Sequence, residues 1–433
     1  MEEKLTLHIP AFEELWYRQR LLQDPATMSY NKGYDLNFSG YDQNTGCIAF
    51  PKEKWRGWYD SFIGREPERF YAYVVRLKDG ALIGEVNVHK SAAAPWYEMG
   101  IVLEAKYRGQ GYAASALKLL LKYAFESLNA EAVHNCFEET RDAAVRTHLA
   151  AGFSEYKREN GILELLMTRE KWLRNQAVNR MVQEISDILK DTEPSIYLYG
   201  SSVLDDFHLG WSDIDILVLT QKQMSQEQAE LLMPLRQTML EREPDNRYYR
   251  SLEGGMLTLS AFMSQEPDRV VYWGTSGQRI TDKYVFDSFC MTELLENGIL
   301  LGGQEIRNQL CLPEYAQLYR DVRQYYETLR KYAQKTTRSF YSFGWFLDIS
   351  RCIYTLRTGK IAAKTFAGEW ALKEGLCPDA QALETALHIR RNPDQNDPAI
   401  FDYAETLGAS VQGYADVLEL ELQKYSPVES YSH

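Results

Sequence analysis

Residues 196–219 read Ile-Tyr-Leu-Tyr-Gly-Ser-Ser-Val-Leu-Asp-Asp-Phe-His-Leu-Gly-Trp-Ser-Asp-Ile-Asp-Ile-Leu-Val-Leu. An apolar run ends in Gly200-Ser201, and after eleven intervening residues a second apolar run opens with Asp213-Ile214-Asp215. Both runs have the length and composition of buried strands. Strand side chains alternate faces, so Asp213 and Asp215 are predicted to point the same way. Two carboxylates side by side repel each other unless a cation lies between them. Mg²⁺ suits the pair, because it takes a few carboxylate oxygens and completes its shell with water and substrate phosphates. Gly200 permits close backbone approach, and Ser201 with the following amides can hold a phosphate. The combination predicts a nucleotidyl-transfer site with Asp213 and Asp215 as metal ligands.

The pattern Gly-Ser, eleven residues, Asp-x-Asp resembles the signature of the polymerase-β-like nucleotidyltransferases. In-line transfer also requires a base for the acceptor hydroxyl. Glu253 is the candidate, in Arg250-Ser251-Leu252-Glu253-Gly254-Gly255 ahead of the apolar run Met256-Leu257-Thr258-Leu259. Residues from about 185 to 420 are similar to the aminoglycoside adenylyltransferases that modify streptomycin and spectinomycin. The matching stretches are Leu252-Glu253, Gly298 to Gly303, Ile349 to Lys364, and Gly368-Glu369-Trp370-Ala371-Leu372. This resemblance implies ATP as the nucleotide, Glu253 as general base and Lys364 as a contact to the nucleotide phosphates. The chain departs from the family at Gly254-Gly255, where β-branched residues are usual, and at Ile353 and Thr365. The last two leave the acceptor open.

A second candidate site lies nearer the N-terminus. Residues 97–111 read Tyr-Glu-Met-Gly-Ile-Val-Leu-Glu-Ala-Lys-Tyr-Arg-Gly-Gln-Gly. A helix is predicted to follow, with Ala113, Leu117, Leu120, Leu121 and Ala124 on one stripe. Glycines between a strand and a helix N-terminus leave amide N–H groups open, and the helix dipole adds positive potential, which together make a pyrophosphate cradle. The stretch is neither a Rossmann fingerprint nor a P-loop. It resembles the acetyl-CoA signature of the GNAT acetyltransferases, with Lys106 in the place of the usual Gln or Arg. Downstream, Ala144 to Phe153, ending Gly152-Phe153, is similar to that family's closing segment. The resemblance implies that Ile101, Leu103, Arg108, Gly109, Gln110, Gly111, Tyr112 and Ala113 contact acetyl-CoA. His148 stands where the family usually has the Tyr that protonates the leaving thiolate, so it is either that acid or a non-catalytic residue. Arg141 replaces a common Asn. Glu98, opening the strand before the signature, is the candidate general base.

Composition narrows the partners. The chain has 433 residues, 48 basic against 61 acidic, for a net charge of −13. That argues against a non-specific nucleic-acid binder, which would be basic. It suits a cationic small-molecule acceptor, because acidic clefts concentrate cations. The six cysteines are scattered, with no metal-binding spacing, and read as reduced thiols. Met1-Glu2-Glu3-Lys4-Leu5 does not open like a signal peptide, and no apolar run reaches membrane length. A cytoplasmic protein without membrane partners is expected; the oligomeric state is left open.

The predicted architecture is α/β and multidomain. A GNAT fold over residues 1–172 precedes a polymerase-β-like nucleotidyltransferase domain over 173–312, and a C-terminal helical bundle covers 313–433. Tyr34, Phe38, Tyr41, Trp55, Trp58 and Tyr59 are expected on the acceptor side of the first domain. Leu163–Thr168 is expected to close its sheet, and Phe401–Tyr425 to form one long final helix. The expected activity is bifunctional: N-acetyl transfer from acetyl-CoA and Mg²⁺-dependent adenylyl transfer from ATP, toward aminoglycoside-like compounds. Two alternatives stand beside it. One domain alone is active and the other is a scaffold, or the nucleotidyltransferase modifies a macromolecule.

Overall fold

The computed structural model describes residues 4–36, 39–266, 269–274, 277–393 and 397–427. Met1–Glu3 and Phe38 lie outside the described residues. The chain divides into two compact units, Met1–Asn175 and Gln176–His433. The second unit holds both the second α/β layer and the C-terminal helices.

The first unit is built on seven strands: β1 (Leu5–His8), β2 (Arg69–Arg76), β3 (Ala81–Lys90), β4 (Tyr97–Leu103), β5 (Ala132–Glu138), β6 (Ser154–Glu159) and β7 (Ile162–Thr168). They lie in the order β1-β2-β3-β4-β5-β7-β6. β1 to β4 pair antiparallel, whereas β4 and β5 run parallel. That parallel pairing covers only Tyr97↔Val133 and Glu98↔His134, so the strands separate beyond it. One face is apolar by strict alternation: Leu163, Leu165 and Met167 of β7 are buried, with Val133 and Phe137 of β5. The helix Tyr112–Glu126 packs Ala116, Leu117, Leu120, Leu121, Ala124 and Phe125 onto that face. Each buried Leu contributes roughly 1.5–3 kcal/mol.

The closing strand is β6, outside the expected β7. Its sequence Ser-Glu-Tyr-Lys-Arg-Glu has no apolar alternation and is almost wholly exposed. A charged edge of this kind blocks pairing with other chains and hides the strand from a reading based on hydrophobic pattern.

The second unit has six strands: β8 (Pro194–Tyr199), β9 (Ile214–Thr220), β10 (Leu252–Thr258), β11 (Val270–Gly274), β12 (Gly277–Thr281) and β13 (Ile299–Gly302). Their order is β12-β11-β10-β9-β8-β13, with β9 and β10 parallel and β8 antiparallel to β9. β8, β9 and β10 lie inside the sheet, buried on both faces. The helices Tyr315–Tyr332, Gly344–Thr358, Lys364–Lys373, Ala380–Arg391, Pro398–Thr406 and Gly408–Lys424 gather around Val322, Phe343, Phe346, Leu347, Ile353 and Leu418. The expected single terminal helix is therefore two. Asp397 caps the first and Pro398 opens it, while Gly408 opens the second where a Cβ would lie 2.3 Å from the Gln334 carbonyl oxygen.

Candidate active sites

In the second unit the register places the carboxylates. Asp215 on β9 is paired with Tyr199 on one side and Glu253 on the other. Asp213 precedes the strand by one residue. Gly200 follows Tyr199 with φ +72°, and a Cβ there would sit 2.1 Å from Asp215 Oδ2. Glycine is required because the carboxylate occupies that space. Ser201 Oγ donates to the Asp213 carbonyl at 3.3 Å. Tyr272 OH donates to Glu253 Oε1 at 2.9 Å. Arg236 Nη1 donates to the Leu252 carbonyl at 2.7 Å, which fixes the start of β10 beside Glu253.

Burial and the nearby Glu253 push the Asp213 carboxyl up to about 6. Burial, with Asp213 and Glu253, raises Asp215 well above its ordinary value. Lys364 and Arg236 favour ionisation of Asp213, and Lys364 and Arg351 do so for Asp215, but these cations do not overcome burial and the neighbouring carboxylates. Three carboxyl groups crowded in this way call for a divalent cation. Among the described residues no group of three or more His, Cys, Asp or Glu is placed to hold a metal ion, which leaves the pair Asp213 and Asp215 as the candidate ligands. A two-carboxylate site keeps positions for water and phosphate, which fits Mg²⁺ better than a structural metal.

Gly200, Ser201, Asp213, Asp215 and Lys364 line one cavity of about 210 Å³. Lys364 opens the helix Lys364–Lys373 and pairs with Asp348 at 2.8 Å. Sequence reasoning missed the rest of the wall. Arg390 is buried and pairs with Asp206 at 2.7 Å, and Arg351 pairs with Glu293. Burial opposes ionisation of Asp206, yet His208 and Arg390 hold its carboxyl well below the usual range. These pairs join residues far apart in the chain and leave no local motif. Gly254 and Gly255 are explained by packing: a Cβ would lie 1.8 Å from the Ile216 carbonyl oxygen at the first and 2.4 Å from the Tyr284 ring at the second. The glycines leave the register intact, with Glu253 opposite Asp215.

In the first unit, the separation of β4 and β5 opens a cavity of about 910 Å³. Ile101, Leu103, Arg108, Gly109, Gly111, Ala113 and His148 line it. Gly109 and Gly111 have φ of +73° and +80°, a left-handed backbone that glycine tolerates best. Gly111 caps the helix Tyr112–Glu126 without a side-chain hydrogen bond, so its first amides face the cavity mouth. Gln110 and Tyr112 do not line the cavity: Gln110 Nε2 donates to the Lys106 carbonyl, and Tyr112 packs on Tyr107. Arg108 is a strut, its guanidinium donating to the carbonyls of Leu103, Ala26 and Thr27. With its guanidinium so engaged, Arg108 leaves the backbone amides of Gly109 to Gly111 as donors beside it. Asn87, Asn135 and Cys136 also line the cavity and carried no family pattern in the sequence, as do Arg141, noted there only as a departure, and Arg146, which lies within the family-like segment 144–153.

His148 fits poorly as an acid. It is 2% exposed and packs on Phe137 and Phe153. Its Nδ1 faces the Ala144 carbonyl at 2.8 Å and its Nε2 faces Asn135 Nδ2 at 2.9 Å. A carbonyl accepts only, so Nδ1 carries the proton and Nε2 accepts from Asn135. Burial lowers its pKa further, which keeps the ring neutral. Tyr30 and Tyr107 also bring phenols to the cavity wall. Glu98 is not part of that wall. It lies where β4 and β5 still pair, bonded to His134 and Trp96.

The model of the acetyltransferase (GNAT) domain family matches residues 6–154, and that of the nucleotidyltransferase domain family matches residues 178–254. No curated protein matches the chain. Among solved structures, the GNAT-family acetyltransferase from Bacillus anthracis is 18% identical, covering 39% of this chain and 96% of its own, at a TM-score of 0.31. Spermidine N-acetyltransferase from Vibrio cholerae, solved with CoA and spermine, is 18% identical, covering 39% of this chain and 98% of its own, at a TM-score of 0.32. The matched segments hold, in turn, the glycine cradle at 109–111 and the carboxylates Asp213, Asp215 and Glu253, so the chain carries a GNAT acetyltransferase domain followed by a nucleotidyltransferase domain.

Proposed function

We propose that the protein is a bifunctional small-molecule transferase. The first unit moves an acetyl group from acetyl-CoA to an amine. The second moves AMP from ATP to a hydroxyl, with Mg²⁺ on Asp213 and Asp215. The acceptors are cationic and aminoglycoside-like, in keeping with the net charge of −13. The observation that carries the reading of the second unit is Asp215, in register with Glu253 on the next strand and sharing its cavity with Gly200, Asp213 and Lys364.

The roles follow from position. Mg²⁺, when bound, neutralises charge on the phosphoryl group in transfer. Gly200 and Ser201 leave amides open to phosphate oxygens, and Lys364 adds a cation from the opposite wall. Glu253 takes the acceptor's hydroxyl proton, held in place by Tyr272. In the first unit, the amides after Gly111 hold the pyrophosphate of acetyl-CoA.

Incubating the protein with ATP, acetyl-CoA, Mg²⁺ and a panel of amine- and hydroxyl-bearing compounds tests the proposal by mass spectrometry. Addition of one AMP and of one acetyl group supports it. AMP on a protein substrate alone would favour a macromolecular target. AMP transfer without acetyl transfer would make the first unit a scaffold, a reading that the fixed, neutral His148 favours.

A further inference from the structure

One carboxylate of the first unit is held by more donors than packing requires. Glu98 Oε1 accepts from the Trp96 indole Nε1–H at 2.7 Å, and Glu98 Oε2 lies 2.7 Å from His134 Nδ1. The Trp96 ring stacks on the His134 ring, centroids 4.8 Å apart at 26°, and Tyr156 packs edge-on against Trp96. The other His134 nitrogen is 3.3 Å from Glu164 Oε2. A carboxylate oxygen only accepts, so at the shorter contact His134 Nδ1 donates to Glu98. Burial alone would raise the Glu98 carboxyl, but the hydrogen bonds from His134, Trp96 and Ser91 hold it below its ordinary value.

Glu98 shares its sheet face with Gly100, two residues on, and its partner His134 shares it with Cys136. Gly100 and Cys136 both line the large cavity. Two strand residues span about 7 Å, so the carboxylate sits within one amine-sized step of the cavity wall. A carboxylate offers about four lone-pair directions, and the donors leave room for another cationic partner.

We propose that the stacked Trp96–His134 pair is a positioning device that fixes Glu98 as the anionic anchor for a primary ammonium group of the acetyl acceptor. A carboxylate already oriented does not lose that freedom again when the acceptor binds. This deepens, and rests on, the acetyl-transfer reading of the first unit.

Calorimetry on the full chain saturated with CoA, using spermidine as a linear probe with primary ammonium groups, tests it. Trp96→Phe keeps the stack and removes the N–H. His134→Leu removes the second donor, and His134→Asn restores one. Spermidine affinity should fall roughly tenfold in Trp96→Phe and His134→Leu and recover in His134→Asn, since hydrogen bonds to a charged group carry that much. Acetyl-CoA affinity and melting temperature should stay at wild-type values in Trp96→Phe and His134→Asn. Two results overturn the inference while acetyl-CoA still binds: spermidine binding that ignores these substitutions, or no spermidine binding by the wild-type protein. Failure of the wild-type protein to bind acetyl-CoA overturns the acetyl-transfer reading, and this inference with it.

Discussion

Asp213, Asp215 and Glu253 carry the most chemistry per residue in this chain. Loss of Asp213 or Asp215 as a metal ligand should cost several kcal/mol of transition-state stabilisation. Asp213→Asn and Asp215→Asn should therefore abolish AMP transfer in a radiolabelled-ATP assay, with circular dichroism unchanged. Transfer at near the wild-type rate by the double variant would remove the site. Glu253→Gln keeps size and hydrogen bonding but not basicity. Turnover should fall roughly 10²–10⁴-fold while ATP and Mg²⁺ binding, read by calorimetry, persist. If binding is lost as well, Glu253 is a metal ligand rather than the base. The same crowding sets a pH dependence. The Asp213 carboxyl titrates near 3.8 in an unfolded chain and is raised to about 6 in the fold, so the metal-free fold binds the extra proton between those values. Its stabilising contribution is complete below about pH 4 and is lost as pH rises through about 6. Without Mg²⁺, Asp213→Asn should thus melt higher than wild type at pH 8, by a margin on the order of 1–2 kcal/mol, and the difference should vanish at pH 4. Equal melting curves at pH 8 would show that neither burial nor Glu253 penalises the Asp213 carboxylate in the fold.

At the scale of elements, turns and strand register decide what those residues can do. The cradle depends on two left-handed glycines ahead of the helix Tyr112–Glu126. Space around a Cβ at Gly111 is open, so Gly111→Asp would strain the backbone and place a negative charge at the amides, without a clash elsewhere. Acetyl-CoA affinity by calorimetry should fall at least tenfold, and an unchanged value would rule out the cradle. The glycines of β10 behave differently. Gly255→Val drives a side chain into the Tyr284 ring, and overpacking of this kind typically costs about 1–3 kcal/mol. Urea unfolding should show the midpoint falling with its slope unchanged. The glycine pair looked like a departure from family pattern in the sequence, and its cause lies in Ile216 and Tyr284, residues 38 and 29 positions away from Gly254 and Gly255 respectively.

At the scale of the whole molecule, each candidate site lies within its own compact unit and over its own core. Defects should then segregate: Asp213→Asn leaves acetyl transfer at its wild-type rate, and Gly111→Asp leaves AMP transfer at its own. Cross-inhibition in either assay would show that the sites are coupled. Among the described residues, no helix is long and apolar enough to cross a membrane. The central elements and the placement of their carboxylates and glycines are legible in the chain alone. Local apolar runs fix β8, β9 and β10, and spacing within a strand fixes which carboxylates share a face, because strand periodicity is a property of the backbone alone. Glycines before a helix likewise announce an anion cradle without help from the rest of the fold. Tertiary structure alone decided the rest. It turned Arg108 into a strut and His148 into a buried neutral ring. It moved the sheet edge to β6, split the last helix at Leu407, and walled the nucleotide cavity with Arg351–Glu293 and Arg390–Asp206. A side chain's partner is set by what packs against it in space, and hydrogen bonding and burial between residues distant in sequence leave no periodic trace for the chain to display.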